Sequence, residues 1–323
     1  MPERTEPLNE APGAPRVVPG PAVPVLAEVV RSGVVESRHR GSLVLLGADG
    51  RVAWALGEVA EPFFPRSSNK PMQAAAVLRA GLPLGGERLA LAAASHAGAE
   101  IHQRLAGRML AEHGLTQAAL RCPESAPNFG AGPGPRGRLA MNCSGKHASW
   151  LAASVVNGWP VADYLDPEHP MQRFVRETVV EYTGEPETAV GVDGCGAPLL
   201  ALSLTGLARA FRAAVLNGPG DPLRRVADAM RAHPEYVGGE GRLDTVLMRA
   251  VPGLLAKGGA EGVQAVALPD GRAFAFKVED GSARASGVLA ARVLAALGVD
   301  APGVPGAPVL GGGEPVGEVR AAF

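Results

Sequence analysis

The chain has very few lysines. Of its 31 basic residues only four are lysines, at positions 70, 146, 257 and 277, which leaves 27 arginines (31 minus four). Arginine keeps its proton at physiological pH, whereas lysine can lose it. The four lysines are therefore candidates for positions that need a neutral amine as a base, a nucleophile or a metal ligand. Lys277, in a predicted strand, is the one we expect to be structural or peripheral.

Other scarcities exclude whole classes of protein. The net charge of −1 provides no attraction to nucleic acid or to anionic membranes. No stretch reaches the roughly 18 to 20 uncharged apolar residues of a membrane helix, and the N-terminus lacks the features of a signal peptide. The three cysteines are too few for a disulfide framework. We therefore expect a cytoplasmic protein with reduced thiols.

Turn signals and periodicity predict the organisation of the chain. Repeated proline and glycine indicate a flexible tail over 1–22, and 23–323 is expected to be a single catalytic domain. Asp49-Gly50 and Asp270-Gly271, each between apolar runs, predict β-hairpins near both ends. These features predict an α/β protein of the α+β type, in which both chain ends form an antiparallel sheet with helices packed on it. The predicted helices cover about 71–81, 100–113, 147–157, 169–183, 197–215, 221–232, 243–250 and 283–297.

Ser67 and Lys70 form a Ser-x-x-Lys pattern, in which the lysine of an acyl-transferring enzyme can take the hydroxyl proton. The pKa of that lysine must then fall from about 10.4 to about 7–8, through burial or nearby cations. Pro71 suits the start of a helix but favours extended geometry for Lys70, so a loop leading into the helix is also possible. A capping serine beside a solvated lysine is the simpler explanation of the pattern alone.

Two further strings have both a functional and a structural explanation. Ser95 and His96 follow an apolar run and precede Gly98, as a site residue or a helix cap beside a core histidine would. The string from Gly239 resembles a binding loop that enters a helix. Asp244 or Thr245 as a helix cap explains it more simply.

Cys143 and Cys195 both lie in glycine-rich turns and could hold zinc. Lys146 and His147 follow the first cysteine by three and four residues. Coordination chemistry alone favours His147 over Lys146 as the third ligand. A close-packed turn with an inert thiol explains Cys195 equally well.

Six motifs in a fixed order point to a known family. From about Val30 to Arg284 the chain resembles the rhizobial-type (class 3) L-asparaginases, also called the asparaginase II family. Each motif is weak alone, but the ordered set is specific. The motifs are Ser-Ser-x-Lys-Pro, Ala-Ser-His-x-Gly, Asn-Cys-Ser-Gly-Lys-His, Asp-Gly-Cys-Gly-x-Pro, Gly-x-Gly-Arg-x-Asp-Thr and Lys-x-Gly-Ala-Glu-Gly.

The resemblance implies hydrolysis of L-asparagine to L-aspartate and ammonia by a homodimer with a fold like that of serine β-lactamases. It implies two catalytic serine–lysine pairs, Ser67 with Lys70 and Ser95 with Lys257. We expect Ser67 to be the nucleophile and Lys70 its base, with the second pair transferring protons. Crowding of these lysines with Lys146 is expected to lower their pKa values.

The resemblance also implies one zinc ion per chain, held by Cys143, Cys195 and Lys146. Lys146 thus replaces His147 as the expected third ligand, and turnover need not depend on the metal. The residues expected to bind substrate are Arg66, Asp193, His147 and Arg242.

Two other functions stay open from the sequence. One is a penicillin-recognising serine acyl-enzyme, against which the missing Ser-Asp-Asn and Lys-Thr-Gly strings argue. The other is a zinc-stabilised binding protein without catalysis. The sequence does not determine which serine is the nucleophile, or whether glutamine is accepted.

Overall fold

The computed structural model describes residues 23–128 and 130–323, so the predicted tail lies outside the described residues. Within these ranges, ten strands form an eight-stranded sheet and a separate two-stranded sheet, and every pairing is antiparallel. The strands are β1 (Val25–Arg31), β2 (Val34–Leu46), β3 (Val52–Leu56), β4 (Val190–Val192), β5 (Pro198–Leu200), β6 (Leu255–Gly259), β7 (Val263–Ala267), β8 (Ala273–Val278), β9 (Pro308–Gly311) and β10 (Glu314–Ala321).

Strands from both ends of the chain meet inside the large sheet. Its order is β6-β7-β8-β2-β1-β10-β9, with β3 also paired to β2. Strand β1 lies between β2 and β10, and Val29 stands opposite Val319. The predicted antiparallel sheet formed by both chain ends is thus confirmed.

Both predicted hairpins form, between β2 and β3 and between β7 and β8. Their turn glycines, Gly50 and Gly271, have φ angles of +81° and +88°, which most other residues avoid. The aspartate before each glycine accepts a hydrogen bond from the backbone N–H two residues after it. Local sequence therefore determines both turns.

Helices fill the middle of the chain, as predicted. Helix α6 packs on β2, β7 and β8, and α10 packs on β1 and β10. No helix within the described ranges combines the length and apolarity needed to cross a membrane. The helices are α1 (Lys70–Arg79), α2 (Gly86–Ala92), α3 (Glu100–Ala111), α4 (Ser144–Val156), α5 (Pro170–Thr183), α6 (Leu204–Leu216), α7 (Pro222–Ala232), α8 (Pro234–Val237), α9 (Leu243–Ala250) and α10 (Ser286–Ala296).

The helix predicted over 197–215 is wrong in its first part. Residues 198–200 form β5, and α6 begins only at Leu204. The Ser203 hydroxyl accepts a hydrogen bond from the Gly206 N–H and so caps this helix. Helix α2, which the sequence does not predict, begins with Gly86, Glu87 and Arg88 and continues into an apolar run too short to show helical periodicity.

Candidate active site

A cavity of about 540 Å³ brings together residues from motifs that lie far apart in the sequence. Its wall contains both predicted catalytic serines, Ser67 and Ser95, and both predicted zinc-binding cysteines, Cys143 and Cys195. The other residues that line it are Arg66, Met141, Asn142, Asp193, Gly194, Gly241, Arg242, Leu243, Asp244, Gly258, Gly259, Ala260, Val263, Gln264, Ala283 and Ser286.

A short 3-10 turn, Arg66–Asn69, carries Ser67 and leads directly into α1 at Lys70. Lys70 is only 1% exposed, and the Ser67 hydroxyl accepts no capping hydrogen bond, so the explanation by a capping serine and a solvated lysine is wrong. Arg66 has a φ angle of +53°, in the left-handed region that favours glycine. Such strained backbone clusters at functional sites, where the surrounding structure maintains it.

Lys70 joins the segments that carry the two serines. Its Nζ donates hydrogen bonds to the backbone oxygen of Ala94 at 2.5 Å and to Cys143 Sγ at 3.0 Å. Because Ala94 immediately precedes Ser95, Lys70 connects the Ser67 turn to the Ser95 segment. The hydroxyls of Ser67 and Ser95 have no hydrogen-bond partner among the described residues, and both line the cavity.

His96 holds the Ser95 segment in place from behind. Its Nδ1 accepts a hydrogen bond from the Gly98 N–H, so Nε2 carries the proton and donates to Ser144 Oγ at 3.0 Å. Burial, followed by the neighbouring His102, holds the pKa of His96 well below its ordinary value. His96 is therefore a neutral core histidine, which is the structural and not the functional explanation of the Ser95–His96 string.

Lys146 packs against the two cysteines, and we call Cys143, Cys195, Lys70 and Lys146 the thiol cluster. Lys146 Nζ lies 3.2 Å from Cys195 Sγ and 4.5 Å from the centre of the Trp150 ring. Burial alone lowers the pKa of Lys146, but Cys195 and Cys143 outweigh it and the net pKa is raised. The two sulfurs therefore favour the protonated form of the Lys146 amine.

The two thiols of this cluster differ in acidity. A hydrogen bond with Cys195, supported by Lys70 and Lys146, holds the pKa of Cys143 well below its ordinary value. The same hydrogen bond and then burial raise the pKa of Cys195. Cys143 is thus the thiolate of the pair.

The donor atoms of the thiol cluster fit zinc. Cys143 and Cys195 supply two sulfurs, which Zn²⁺ takes as ligands in proteins, and a deprotonated Lys146 amine would supply one nitrogen, which leaves one tetrahedral position for another ligand. No group of three or more His, Cys, Asp or Glu side chains within the described ranges could hold a metal. A zinc site here would therefore need the Lys146 amine.

His147 lies outside the cavity wall that the described residues form. It is fully buried, and its Nδ1 is 2.7 Å from the Tyr164 hydroxyl oxygen. The geometry therefore does not support the expected substrate contact of His147.

Arg66 and Asp193 form an ion pair in the cavity wall. Arg66 Nε donates to Asp193 Oδ1 at 2.7 Å. Burial raises the pKa of Asp193, but Lys146 and Arg66 outweigh it, so the net pKa is lowered and the carboxylate is ionised. Arg242, the third expected substrate-binding residue, is partly buried and also lines the cavity.

Lys257 lies in a second polar group, which we call the carboxylate cluster and define as Lys257, Asp244 and Gln264. Lys257 Nζ donates to Asp244 Oδ2 at 3.1 Å and to the backbone oxygen of Gly258 at 2.6 Å. Burial lowers the pKa of Lys257 to about 8, against the attraction of Asp244. Neither Lys70 nor Lys257 is among the described residues of the cavity wall, but each bonds to a residue of it, Lys70 to Cys143 and Lys257 to Asp244. Lys277 lies outside that wall as well, with its amine bonded to the Val278 carbonyl.

Asp244 is a further functional candidate, at a position for which the sequence alone favours a helix cap. The N-cap residue of α9 is Arg242, whose side chain makes no capping hydrogen bond, so the capping explanation for Asp244 or Thr245 is wrong. The Thr245 hydroxyl donates to the Pro234 carbonyl instead. The sequence feature that points to a functional role is the position of Asp244 inside one of the six motifs.

The model of the L-asparaginase II family matches residues 27–321, nearly the whole chain. The chain belongs to this family. The predicted resemblance is thereby confirmed, and the protein is a hydrolase of the amidohydrolase type. No curated protein matches the chain.

Several solved structures are similar to this L-asparaginase II family member. One is a β-lactamase from Mycobacterium bovis, with 14% identity and a TM-score of 0.43 over 75% of this chain and 88% of that one. A putative β-lactamase from Bacteroides dorei has 15% identity and a TM-score of 0.41 over 74% and 84%. A Bacillus glutaminase has 12% identity and a TM-score of 0.46 over 80% and 91%. At these values the likeness carries nothing about substrate or mechanism.

Proposed function

We propose that this amidohydrolase is an L-asparaginase that hydrolyses L-asparagine to L-aspartate and ammonia through a serine nucleophile. The observation that carries the proposal is a cavity wall with two serine hydroxyls, Ser67 and Ser95, beside which two lysines, Lys70 and Lys257, are buried and bonded to other residues of the wall. Family membership supports the choice of asparagine.

The charges of the wall suit a free amino acid. Arg66 and Asp193 place a cation and an anion side by side. An amino acid carries one charge of each sign, so Arg66 would bind its carboxylate and Asp193 its ammonium. Arg242 adds a second cation to the wall.

Ser67 is proposed to attack the side-chain amide carbon of asparagine, with its hydroxyl proton passing to Lys70. The C–N bond then breaks, the nitrogen takes a proton and leaves as ammonia, and an aspartyl ester remains on Ser67. Water hydrolyses that ester and releases aspartate. Lys257, whose pKa of about 8 lies close to the operating range of a general base, would transfer protons with Ser95 during these steps.

We propose that Cys143, Cys195 and Lys146 hold one zinc ion. Bound there, zinc would act as a Lewis acid and would tie the Cys143 turn to the Cys195 turn. The ligands must be deprotonated to bind the metal, so zinc binding would release the proton that Lys146 otherwise retains.

The remaining expectations concern assembly and location. We retain the homodimer, the single catalytic domain and the cytoplasmic location as predictions. Sedimentation of the purified protein tests the first of them: a mass of about twice the 33.0 kDa of one chain is expected.

The deciding experiment is the release of ammonia from L-asparagine by the purified full chain, with L-glutamine in parallel. We expect release from asparagine, and none from a folded Ser67→Ala/Ser95→Ala variant. A chromogenic β-lactam serves as a third substrate, since its hydrolysis would favour a penicillin-recognising enzyme. Folded, zinc-loaded protein that releases ammonia from neither amino acid would overturn the proposal.

A further inference from the structure

We propose that Asp244 is a positioning residue of this active site, which fixes both the place and the protonation of the Lys257 amine. The proposal rests on the proposed function, in which Lys257 transfers protons together with Ser95. Asp244 acts through Lys257, and no contact with substrate is needed for this role.

The Asp244 carboxylate is held by three donors. It is buried in the first turn of α9, where Oδ2 accepts from Lys257 Nζ at 3.1 Å. Its Oδ1 accepts from the Gly258 N–H at 2.8 Å and from Gln264 Nε2 at 3.1 Å. Hydrogen bonds from β6 and β7 thus fix the orientation of the Asp244 carboxylate. The fixed carboxylate in turn positions the Lys257 amine.

The same part of the chain also places Ser95. The Ser95 N–H donates to the Val237 carbonyl at 3.0 Å, and the Ala97 N–H donates to the Gly238 carbonyl at 2.9 Å. These acceptors lie just before the loop that enters α9. The end of α8 is therefore hydrogen-bonded to the Ser95 segment, and residues 239–242 lead from there into α9, which carries Asp244.

Among the charges around Lys257, Asp244 is the one that stabilises the protonated amine. Asp244 faces the amine from α9, Arg242 from the start of the same helix, and Lys70 from α1. Burial and the two cations favour loss of the proton, and Asp244 favours its retention. The carboxylate therefore prevents Lys257 from being permanently neutral and leaves it able both to accept and to donate a proton near pH 8.

Nuclear magnetic resonance can measure this effect without turnover. Because the chain has four lysines, protein labelled with [¹³C]lysine gives four lysine Cε signals, and a Lys257→Met variant identifies one of them. We expect this signal to titrate near pH 8 in the wild type. In Asp244→Asn, which keeps an acceptor for the Gly258 N–H, it should titrate at least about one pH unit lower.

Three variants serve as controls. Gln264→Met removes one hydrogen bond to the carboxylate but no charge, so the Lys257 titration should move far less than in Asp244→Asn. Asp270→Asn removes an exposed carboxylate, bonded to Arg272, and should not move it. Asp244→Glu restores the charge and should restore most of the shift.

The pH profile of kcat/KM for asparagine tests whether this protonation matters for the reaction. Its acidic limb should move to lower pH in Asp244→Asn by the interval seen in the titration. An unmoved lysine titration, or a moved titration with an unmoved limb, would overturn the proposal and leave Asp244 a structural ion-pair partner.

Two further measurements keep the proposal testable if Asp244→Asn does not fold or if the wild type is inactive. If Asp244→Asn does not fold, the wild-type Asp244 Cγ signal should still show an inflection near pH 8 as Lys257 titrates, and a flat signal would overturn the proposal. A wild type without asparaginase activity would overturn the proposed function. The titrations would then still decide what Asp244 does to Lys257.

Discussion

Lys146 in the thiol cluster and Lys257 in the carboxylate cluster are each 1% exposed, yet their pKa values move in opposite directions. Burial lowers the pKa of both amines. Around Lys146 the sulfurs of Cys195 and Cys143 outweigh burial, whereas around Lys257 a single carboxylate does not. The nearby charges, and not the depth of burial, therefore decide whether a buried lysine is a cation or a base.

The largest expected effect compares the two serines of the cavity wall. Ser67→Ala should lower kcat for asparagine by about 10³- to 10⁶-fold, because it removes the nucleophile. Ser95→Ala should cost about 10²- to 10⁴-fold, as loss of a proton-transfer group does. Steady-state kinetics measure both, and mass spectrometry should detect the aspartyl ester in Ser95→Ala. Full turnover in Ser67→Ala with none in Ser95→Ala would invert the assignment.

Removing the amine of the carboxylate cluster should cost stability. Lys257→Met leaves the Asp244 carboxylate buried without its cation, which typically lowers the free energy of unfolding by about 3–5 kcal/mol. Urea denaturation measures the loss. Lys257→Met/Asp244→Asn should recover much of it, and equal losses in the single and double variants would mean that the charge pair is not the cause.

Removing metal should affect the thiol cluster alone. If zinc is present at about 100 to 1,000 times its Kd, chelation should lower the free energy of unfolding by about 3–4 kcal/mol. Cys143→Ser should abolish zinc binding and the response to chelator, both measured by metal analysis and thermal melting. Cys122→Ser, a buried thiol outside the cluster, is the matched control. Full zinc content in Cys143→Ser would contradict the predicted site.

The pH dependence of stability should show the lowered pKa of Lys257. Its folded-state pKa of about 8 lies below the roughly 10.4 of an unfolded chain. Between these values the unfolded chain binds a proton that the folded protein does not, so stability rises with pH, by about 3 kcal/mol in total. Urea denaturation from pH 7 to 11 gives the free energy of unfolding of the wild type and of Lys257→Met. The difference between the two isolates this rise. A flat difference would mean that the pKa is not lowered.

The smallest effect is expected on the surface. Arg104 and Glu100 form an exposed ion pair at 3.1 Å. Arg104→Lys should change the free energy of unfolding by less than about 0.5 kcal/mol, because such pairs contribute little. Lys146→Arg should be clearly destabilising, since a larger, permanently charged group must fit the thiol cluster. Equal effects in urea denaturation would show that the few lysines are interchangeable with arginine after all.

The sequence predicted the parts of the fold that short segments determine. Both Asp-Gly turns specify their hairpins locally. Pairing of β1 with β10 depends on residues from opposite ends of the chain, and no local pattern reports it. The sequence predicts helix where β5 lies, because the apolar residues of β5 continue toward α6 without a Gly or Pro turn signal.

The site could be predicted only as a set of residues. Ordered motifs identified both serines and both cysteines of the cavity wall. The motifs do not predict which side chains bond to each other. The hydrogen bonds of Lys70 to Cys143 and to the Ala94 carbonyl, for example, are tertiary contacts between distant segments. The role of Asp244 cannot be predicted from the sequence for the same reason, since its partner Lys257 lies on another element.

The position of β10 next to β1 has a consequence for synthesis on the ribosome. Strand β10 begins roughly 280 residues after β1 ends (314 minus 31). At an elongation rate of about 5–20 residues per second, β10 is synthesised between roughly a quarter of a minute and a minute after β1. During that time one edge of β1 is unpaired and open to association with other nascent chains. Chaperone demand in the cell should therefore depend on elongation speed, and slow codons between the two strands should lower the soluble yield.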